Sequence, residues 1–320
     1  MNWQHFFKAT LATLCLVTHM AHAQTKPVEW VVGYPAGGGS DIVARTIADG
    51  ISKSLNRSLV INNKPGAGTN IAADYVARSK DFGNLIFTAD FATLATNPFL
   101  FSKLTYNSEK DFQPIGMLVR FPMYLVVSNQ VPVNNYKEFV AWAKTQPNGV
   151  SYGSAGPGSP HHLIGEYFRE KSGLNMIHVA YKGAAPAIQD VVGNQIPAMW
   201  IDSATAMSFI TAKKLKVIGV ASMKRIALTP EIATLHEQGL KNFEGYAWQG
   251  LVVPTGTPAD QTAAFAKALQ EALASTPVKA RLQALGVEPM PGTPEQMAKF
   301  VATERAKWGD VITKIGVKLD

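Results

Sequence analysis

Apolar positions along the chain change period repeatedly, from runs suited to strands to four-residue spacings suited to helices. Val28 to Val32 is a β-type run. Beyond it, Val43, Ile47, Ile51 and Leu55 recur every four residues and share one helix face. The alternation continues with strands at Leu59–Ile61 and Leu85–Thr88, then at Ile115–Val119 and Tyr124–Ser128 on either side of Arg120-Phe121-Pro122. Further strands are expected at Val150–Gly153, Ile177–Ala180, Ile196–Ile201 and Leu215–Ala221. Helices are expected around Ile71–Val76, Tyr136–Lys144, from His161, and over Ala184–Val192. Residues around Asn97-Pro98 are expected to form a loop. Tyr246–Pro254 reads as a strand crossing between lobes. The tail is helical, with Gly286 as a stop and Thr293-Pro294-Glu295-Gln296 as a capping box. Strands alternating with helices predict an α/β protein with largely parallel sheets.

Between strand and helix lie glycine loops. The first is Tyr34-Pro35-Ala36-Gly37-Gly38-Gly39-Ser40-Asp41, and another is Ser154-Ala155-Gly156-Pro157-Gly158-Ser159-Pro160. Such a loop leaves backbone N–H groups uncovered, and the helix behind them adds its positive dipole end. An anion fits there, and so does a tight turn that binds nothing. Over a hundred residues separate the two loops. If they lie in lobes facing across a cleft, two helix N-termini point into it, each suited to one carboxylate.

Composition narrows the chemistry. Lys8, the apolar stretch Ala9–Val17 and Ala21-His22-Ala23 fit an export leader over residues 1–23, cleaved before Gln24. The chain's one cysteine, Cys15, falls in that leader. The mature chain then has no disulfide, thiol nucleophile or cysteine metal site. The formal charge of +7 is scattered, without the basic and aromatic interleaving of a nucleic-acid site.

The catalytic motifs fail on inspection. Gly66-Ala67-Gly68 begins like a dinucleotide fingerprint, but Ile71 holds the third glycine position. No loop ends in Gly-Lys-Ser/Thr, so no nucleotide cofactor is expected. Ser154 has Gly156 after it but Tyr152 before it, so the Gly-x-Ser-x-Gly elbow is broken. A secreted hydrolase using Ser154 and His162 remains the enzymatic alternative. His161 and His162 are adjacent, so their side chains diverge on a helix and make a poor metal pair. One is expected to line a cleft and the other to sit at the surface.

Tyr34-Pro35-Ala36-Gly37-Gly38 with Asp41 and Arg45 resembles the opening motif of the periplasmic solute receptors of tripartite tricarboxylate transporters, the Bug (TctC) family. The likeness continues through Asn63-Lys64-Pro65-Gly66-Ala67-Gly68, Asp111-Phe112, Tyr152-Gly153-Ser154-Ala155-Gly156 and His162-Leu163. It extends through His178–Gly183, Trp248–Pro254, Thr257-Pro258 and Lys307-Trp308. Departures occur at Asp81-Phe82-Gly83-Asn84, where the family shows Pro-Asp-Gly-Tyr, and at Gly193-Asn194, where it shows a glycine pair.

The resemblance implies a two-lobed, type II periplasmic-binding-protein fold, its lobes joined by crossover strands around a ligand cleft. Residues 24–122 with 245–320 would form one lobe and residues 123–244 the other. It also implies a monomeric periplasmic receptor that needs no cofactor or metal and catalyses nothing. Such a receptor presents a small organic carboxylate to the membrane subunits of a transporter, or reports it to a membrane signalling protein. Carried over, the ligand residues are Tyr34, Ala36, Gly37 and Gly38 from one lobe. Ser154, Gly156, Gly158 and His162 come from the other. Asp202 matches a family cleft position and either meets a ligand ammonium or hydroxyl or caps a turn. Asp41 would repel a bound carboxylate, so it is expected to turn inward and cap its own helix.

Overall fold

The computed structural model describes residues 26–319; the expected leader, with Cys15 and the cleavage point, lies outside them. The first half of the chain forms β1 (Val28–Val32), α1 (Gly39–Leu55), β2 (Leu59–Asn63), α2 (Asn70–Ala77) and β3 (Leu85–Asp90). A π-helical turn, Phe91–Thr96, runs into α3 (Asn97–Leu100), and β4 follows (Phe112–Ser128). Next come α4 (Tyr136–Ala143), β5 (Val150–Ser154), α5 (Pro160–Ser172), β6 (Met176–Ala180) and α6 (Ala184–Val192). The chain continues with β7 (Ala198–Asp202), α7 (Ser203–Thr211), β8 (Leu215–Val220) and β9 (Tyr246–Pro254). It closes with α8 (Ala259–Ala274), α9 (Thr276–Ala284), β10 (Glu288–Pro289) and α10 (Pro294–Ile315).

Local chemistry accounts for these boundaries. Val43, Ile47 and Ile51 are buried along α1, which ends on Asn56 in the left-handed region. Gly286, at φ 72, follows α9 in the same way. At α10 the capping box is present: Gln296 N–H donates to Thr293 Oγ1 at 3.2 Å, and Thr293 N–H donates to Gln296 Oε1 at 2.9 Å.

The strands run in the order β2-β1-β3-β9-β4-β7-β5-β6, with β8 and β10 also pairing β4. β1 is parallel to β2 and β3, and β5 is parallel to β6 and β7. β4 joins the two halves. From Phe112 to Pro122 it pairs with β9, and from Met123 onward with β7 and β8. This is a two-lobed α/β fold with its lobes sharing one long strand.

Four expectations change. The sheet is mixed instead of largely parallel, because β4 and β9 run antiparallel to every strand they pair with. The two strands foreseen around Arg120-Phe121-Pro122 are one, because Pro122 falls where β4 exchanges one partner for another and its missing N–H costs no ladder bond there. The loop foreseen at Asn97-Pro98 is helical, with Pro98 in the first turn of α3, where proline's missing N–H is harmless. β9 does not cross between lobes, since all its partners are in β3 and the first half of β4. The return crossing is the bend before it, where Gly245 N–H still bonds Ala221 O of the second half.

One core packs Trp30, Ile47, Ile51, Leu251, Phe265 and Leu269 within the first lobe. Another packs Tyr124, Ile188, Val191, Met199 and Ile201 within the second. A third is continuous across both, from Phe87 and Phe91 through Trp248 and Trp308 to Phe168, Trp200 and Phe243. α10 carries that bridge. Trp308 meets Phe91 edge-on at 5.1 Å and Tyr167 at 5.9 Å between ring centroids. Glu304 accepts the indole N–H of both Trp248, at 2.9 Å, and Trp308, at 3.0 Å.

Helices α1 and α8 approach closely at Gly50, where an added Cβ would lie 2.7 Å from Ala272 Cβ and 3.1 Å from Ala272 Cα. In an open helix, Gly→Ala gains about 1 kcal/mol. Here overpacking reverses the sign, and Gly50→Ala is expected to lower stability by roughly 1–2 kcal/mol in urea unfolding. A gain in stability would show that the two helices separate without cost.

Candidate functional site

The first glycine loop spends its own donors on itself. Gly37 sits at φ 78, a conformation that favours glycine, and its N–H donates to Asp41 Oδ2 at 2.9 Å. Gly38 N–H closes a turn onto Pro35 O at 3.2 Å. Asp41 is buried, and also accepts from Arg45 Nε at 2.9 Å and Asn63 Nδ2 at 3.0 Å. Burial opposes its charge, but the bonds from Arg45, Gly37 and Asn63 outweigh that and hold its carboxyl below the usual range. Asp41 therefore braces the loop from behind. α1 itself opens with no side-chain cap. Among the described residues, the amides of Gly39 and Ser40 have no hydrogen-bond partner.

The second loop is braced by histidines. Ser154 is fully buried; its Oγ lies 2.6 Å from His178 Nε2 and accepts from Gly156 N–H at 3.0 Å. Gly158 N–H donates to His162 Nδ1 at 3.1 Å. The His162 and His178 rings stack with centroids 3.8 Å apart. Burial pushes His162 down to about 3, helped by the neighbouring His178 and Arg169, and pushes His178 down to about 4. Both rings are thus neutral near neutral pH, which lets His162 Nδ1 accept a bond. Ser159 caps α5 by accepting from His162 N–H at 3.3 Å.

Between the loops lies a cavity of about 710 Å³. Of the residues foreseen from sequence, Tyr34, Gly158 and Asp202 line it. Ala36, Gly37, Gly38, Ser154, Gly156 and His162 do not; the first three form the turn before α1, with Ala36 and Gly37 exposed, and the last three brace the second loop. The two adjacent histidines differ from expectation: His161 faces the cavity, and His162 is buried beneath the loop instead of lying at the surface. The Ser154–His162 pair of the hydrolase alternative does not form, because the histidine on Ser154 is His178 and the hydroxyl is sealed from the cavity.

Asp202 caps α7, accepting from Thr205 N–H and Oγ1, each at 2.9 Å. His161 Nε2 stands 3.4 Å from Asp202 Oδ2. Burial opposes the Asp202 charge, but His161 and Thr205 outweigh it and hold the carboxyl low. Two further residues on the wall, Asp90 and Gln249, were not singled out in the sequence. Asp90 caps the Phe91 turn through Thr93 N–H at 2.9 Å and accepts the Tyr34 hydroxyl on its other oxygen. Burial raises the Asp90 carboxyl, and burial together with Asp90 raises Tyr34. Gln249 bonds Ser40 Oγ beside the start of α1, and His161 faces it from the other lobe. The spacing Asp90-x-x-Thr93 is an N-cap signal that would have marked the first of these.

A wider groove of about 900 Å³ lies on the outer face of α1, α8 and α9, away from the facing loops. Among the described residues no helix is long and apolar enough to cross a membrane, and no group of three or more His, Cys, Asp or Glu is placed to hold a metal ion.

The family model described as tripartite tricarboxylate transporter family receptor matches residues 43–317. The chain belongs to this receptor family. A UPF0065 protein in the tcbD-tcbE intergenic region of Pseudomonas sp. (strain P51) is 30% identical over 309 residues, 94% of this chain and 91% of that protein. R. palustris Rpa4515 with adipate superposes with a TM-score of 0.82 at 28% identity, covering 92% of this chain and 98% of that one. The periplasmic binding protein BugD does so with a TM-score of 0.78 at 33% identity, covering 92% and 99%. The family is one of substrate receptors, and its relatives of known structure share this two-lobed architecture.

The braces beneath the second loop carry a pH signature. His162 and His178 titrate below their ordinary 6.5 in the folded protein, so the unfolded chain takes up protons first as pH falls. Stability is expected to be level above pH 6.5 and to decline from there towards pH 4, by at most about 1.4 kcal/mol per pH unit for each ring. His162→Gln should remove about one proton's worth of that slope. Urea titrations at stepped pH check this, and an unchanged slope in the variant would rule out the neutral stacked pair.

Proposed function

We propose that this protein is an exported, periplasmic receptor that closes its lobes on a small organic carboxylate. It then presents the ligand to the membrane subunits of a tripartite tricarboxylate-type transporter. The lobes are residues 24–122 with 245–320 and residues 123–244. The observation that carries this reading is the uncapped start of α1, whose Gly39 and Ser40 residues line the cavity between the lobes with amides that have no partner among the described residues. Two converging N–H groups at a helix N-terminus suit a carboxylate without any charged side chain. The adipate carried by R. palustris Rpa4515, a relative of the same fold, supports the ligand class. Contacts to both lobes favour the closed form in proportion to their difference between open and closed states, and a membrane partner can read that form.

Thermal unfolding with a panel of mono- and dicarboxylates tests this. A ligand at about 100 times its Kd is expected to add roughly 2.7 kcal/mol. Gly39→Val places methyl groups over the free amides; an added Cβ there lies 4.0 Å from the nearest atom, on Phe121. That variant should bind about tenfold or more weaker while unfolding within about 1 kcal/mol of the parent. If no carboxylate shifts the transition, or if Gly39→Val binds as the parent does, the reading fails.

A further inference from the structure

The stretch after α10 returns to the cleft. Gly316, at φ 67, ends that helix in the left-handed region. The chain then runs along α3. Lys318 Nζ donates to Phe99 O at 2.7 Å, and Leu319 N–H donates to Leu100 O at 2.9 Å. These carbonyls belong to the last turn of α3, where no intrahelical N–H can reach them. Both bonds come from a lysine or the main chain, so the path of this tail is fixed on the first lobe without calling on the Leu319 side chain. Leu319 lies just past the stretch that the family model matches.

That side chain meets the second lobe. Leu319 lines the cavity together with Leu100 and Gly158. An added Cβ on Gly158 would lie 2.7 Å from Leu319 Cδ1 and 3.0 Å from Leu100 Cδ1, so the absent side chain leaves a notch that the two leucine tips fill. Gly158 itself is held at φ 73, with its N–H on His162 Nδ1. The ties through β4 and Trp308 lie on elements that both lobes share. The Leu319 contact is of another kind, because it joins surfaces that face each other across the cavity. Opening the lobes parts those surfaces and returns apolar area to water.

We propose that the tail after α10 is a clasp between the lobes. Leu319, carried on α3 of the first lobe, seats in the notch at Gly158 of the second and favours the closed form before any ligand arrives. Gly158 is the seat of the clasp, and its lack of a side chain is what lets the loop come so near the tail. Apparent affinity scales with the fraction of molecules already in the competent form, so the clasp strengthens every ligand alike. The inference rests on the lobe closure of the proposed function and is independent of which ligand the lobes close on.

Distances between nitroxide labels, read by pulsed electron resonance without ligand, test it. In a Cys15→Ser background, labels go on Lys53→Cys or Lys267→Cys in the first lobe and on Lys144→Cys or Lys213→Cys in the second, all exposed positions. Gly158→Ala, whose Cβ overlaps both leucine tips, marks the open distances. In at least one of the label pairs, Leu319→Ser and Leu319→Ala are expected to move the ratio of closed to open molecules about fivefold towards open. Leu319→Met, which keeps an apolar tip of similar length, should stay within about twofold of the parent. Parent distances retained in folded Leu319→Ser and Leu319→Ala overturn the clasp, and so does a parent that shows the Gly158→Ala distances alone. These distances need no ligand, so a carboxylate panel that shifts nothing overturns the receptor reading and leaves the clasp to be judged on its own result.

Discussion

The change of partner along β4 is the constraint on which the rest depends. A single strand belongs to both halves of the sheet, pairing with β9 up to Pro122 and with β7 and β8 from Met123. The parallel strands β1 and β5 lie in the two halves, and each runs into its glycine loop and helix. Ligands of open α/β sheets bind outside the carboxyl ends of such strands, where loops and helix starts gather. With β4 as the shared element, two such edges face each other, and the cavity between them follows. α10 adds a second tie, because Trp308 packs against both Phe91 and Tyr167 while Glu304 fixes two indoles. Any closing motion must bend around these shared elements instead of sliding the lobes apart.

Much of this architecture was legible in the residues. The stripe on α1, the capping box on α10 and the Gly286 stop each depend on near neighbours, so local chemistry was enough to place them. β4 was harder. Its two apolar runs are interrupted by Arg120 and Pro122, and only the exchange of sheet partners explains why a proline sits inside one continuous strand. The Phe91–Leu100 segment was misjudged for a similar reason. Asn97-Pro98 signals a break, but proline in the first helical turn is harmless, and the signal at Asp90 lies seven residues upstream. Asp41 was legible only in part: it turns inward as expected, but it does not cap α1. The structure adds that it turns by taking the Gly37 amide, with Arg45 and Asn63 behind it.

The wall of the site was less legible because glycine-rich motifs do not reveal which amides remain free. Gly37, Gly38, Gly156 and Gly158 allow their loops to turn, and the turning consumes or redirects their N–H groups. The free donors are one step further along, at Gly39 and Ser40. Likewise, nothing in His161-His162 says which ring faces the cavity. The choice is made by β6, far along the chain, which brings His178 under the loop to stack on His162 and leaves His161 outside.

Electrostatics follow from the same division between wall and brace. Asp90 and Asp202 each sit on a helix start and accept its N–H donors; with His161 these hold the Asp202 carboxyl low, while burial raises that of Asp90. His162 and His178 are tolerated because burial keeps them neutral near neutral pH. A protonated His162 would carry a proton on Nδ1 and could no longer accept from Gly158 N–H, so the loop that presents Gly158 and His161 to the cavity depends on a ring that never touches it. Two carboxyl groups, Asp90 and Asp202, line the cavity, and no lysine or arginine does so among the described residues. On the proposed reading, attraction for an anion falls to the backbone dipoles at the start of α1, with the Gly39 and Ser40 amides as its point of capture.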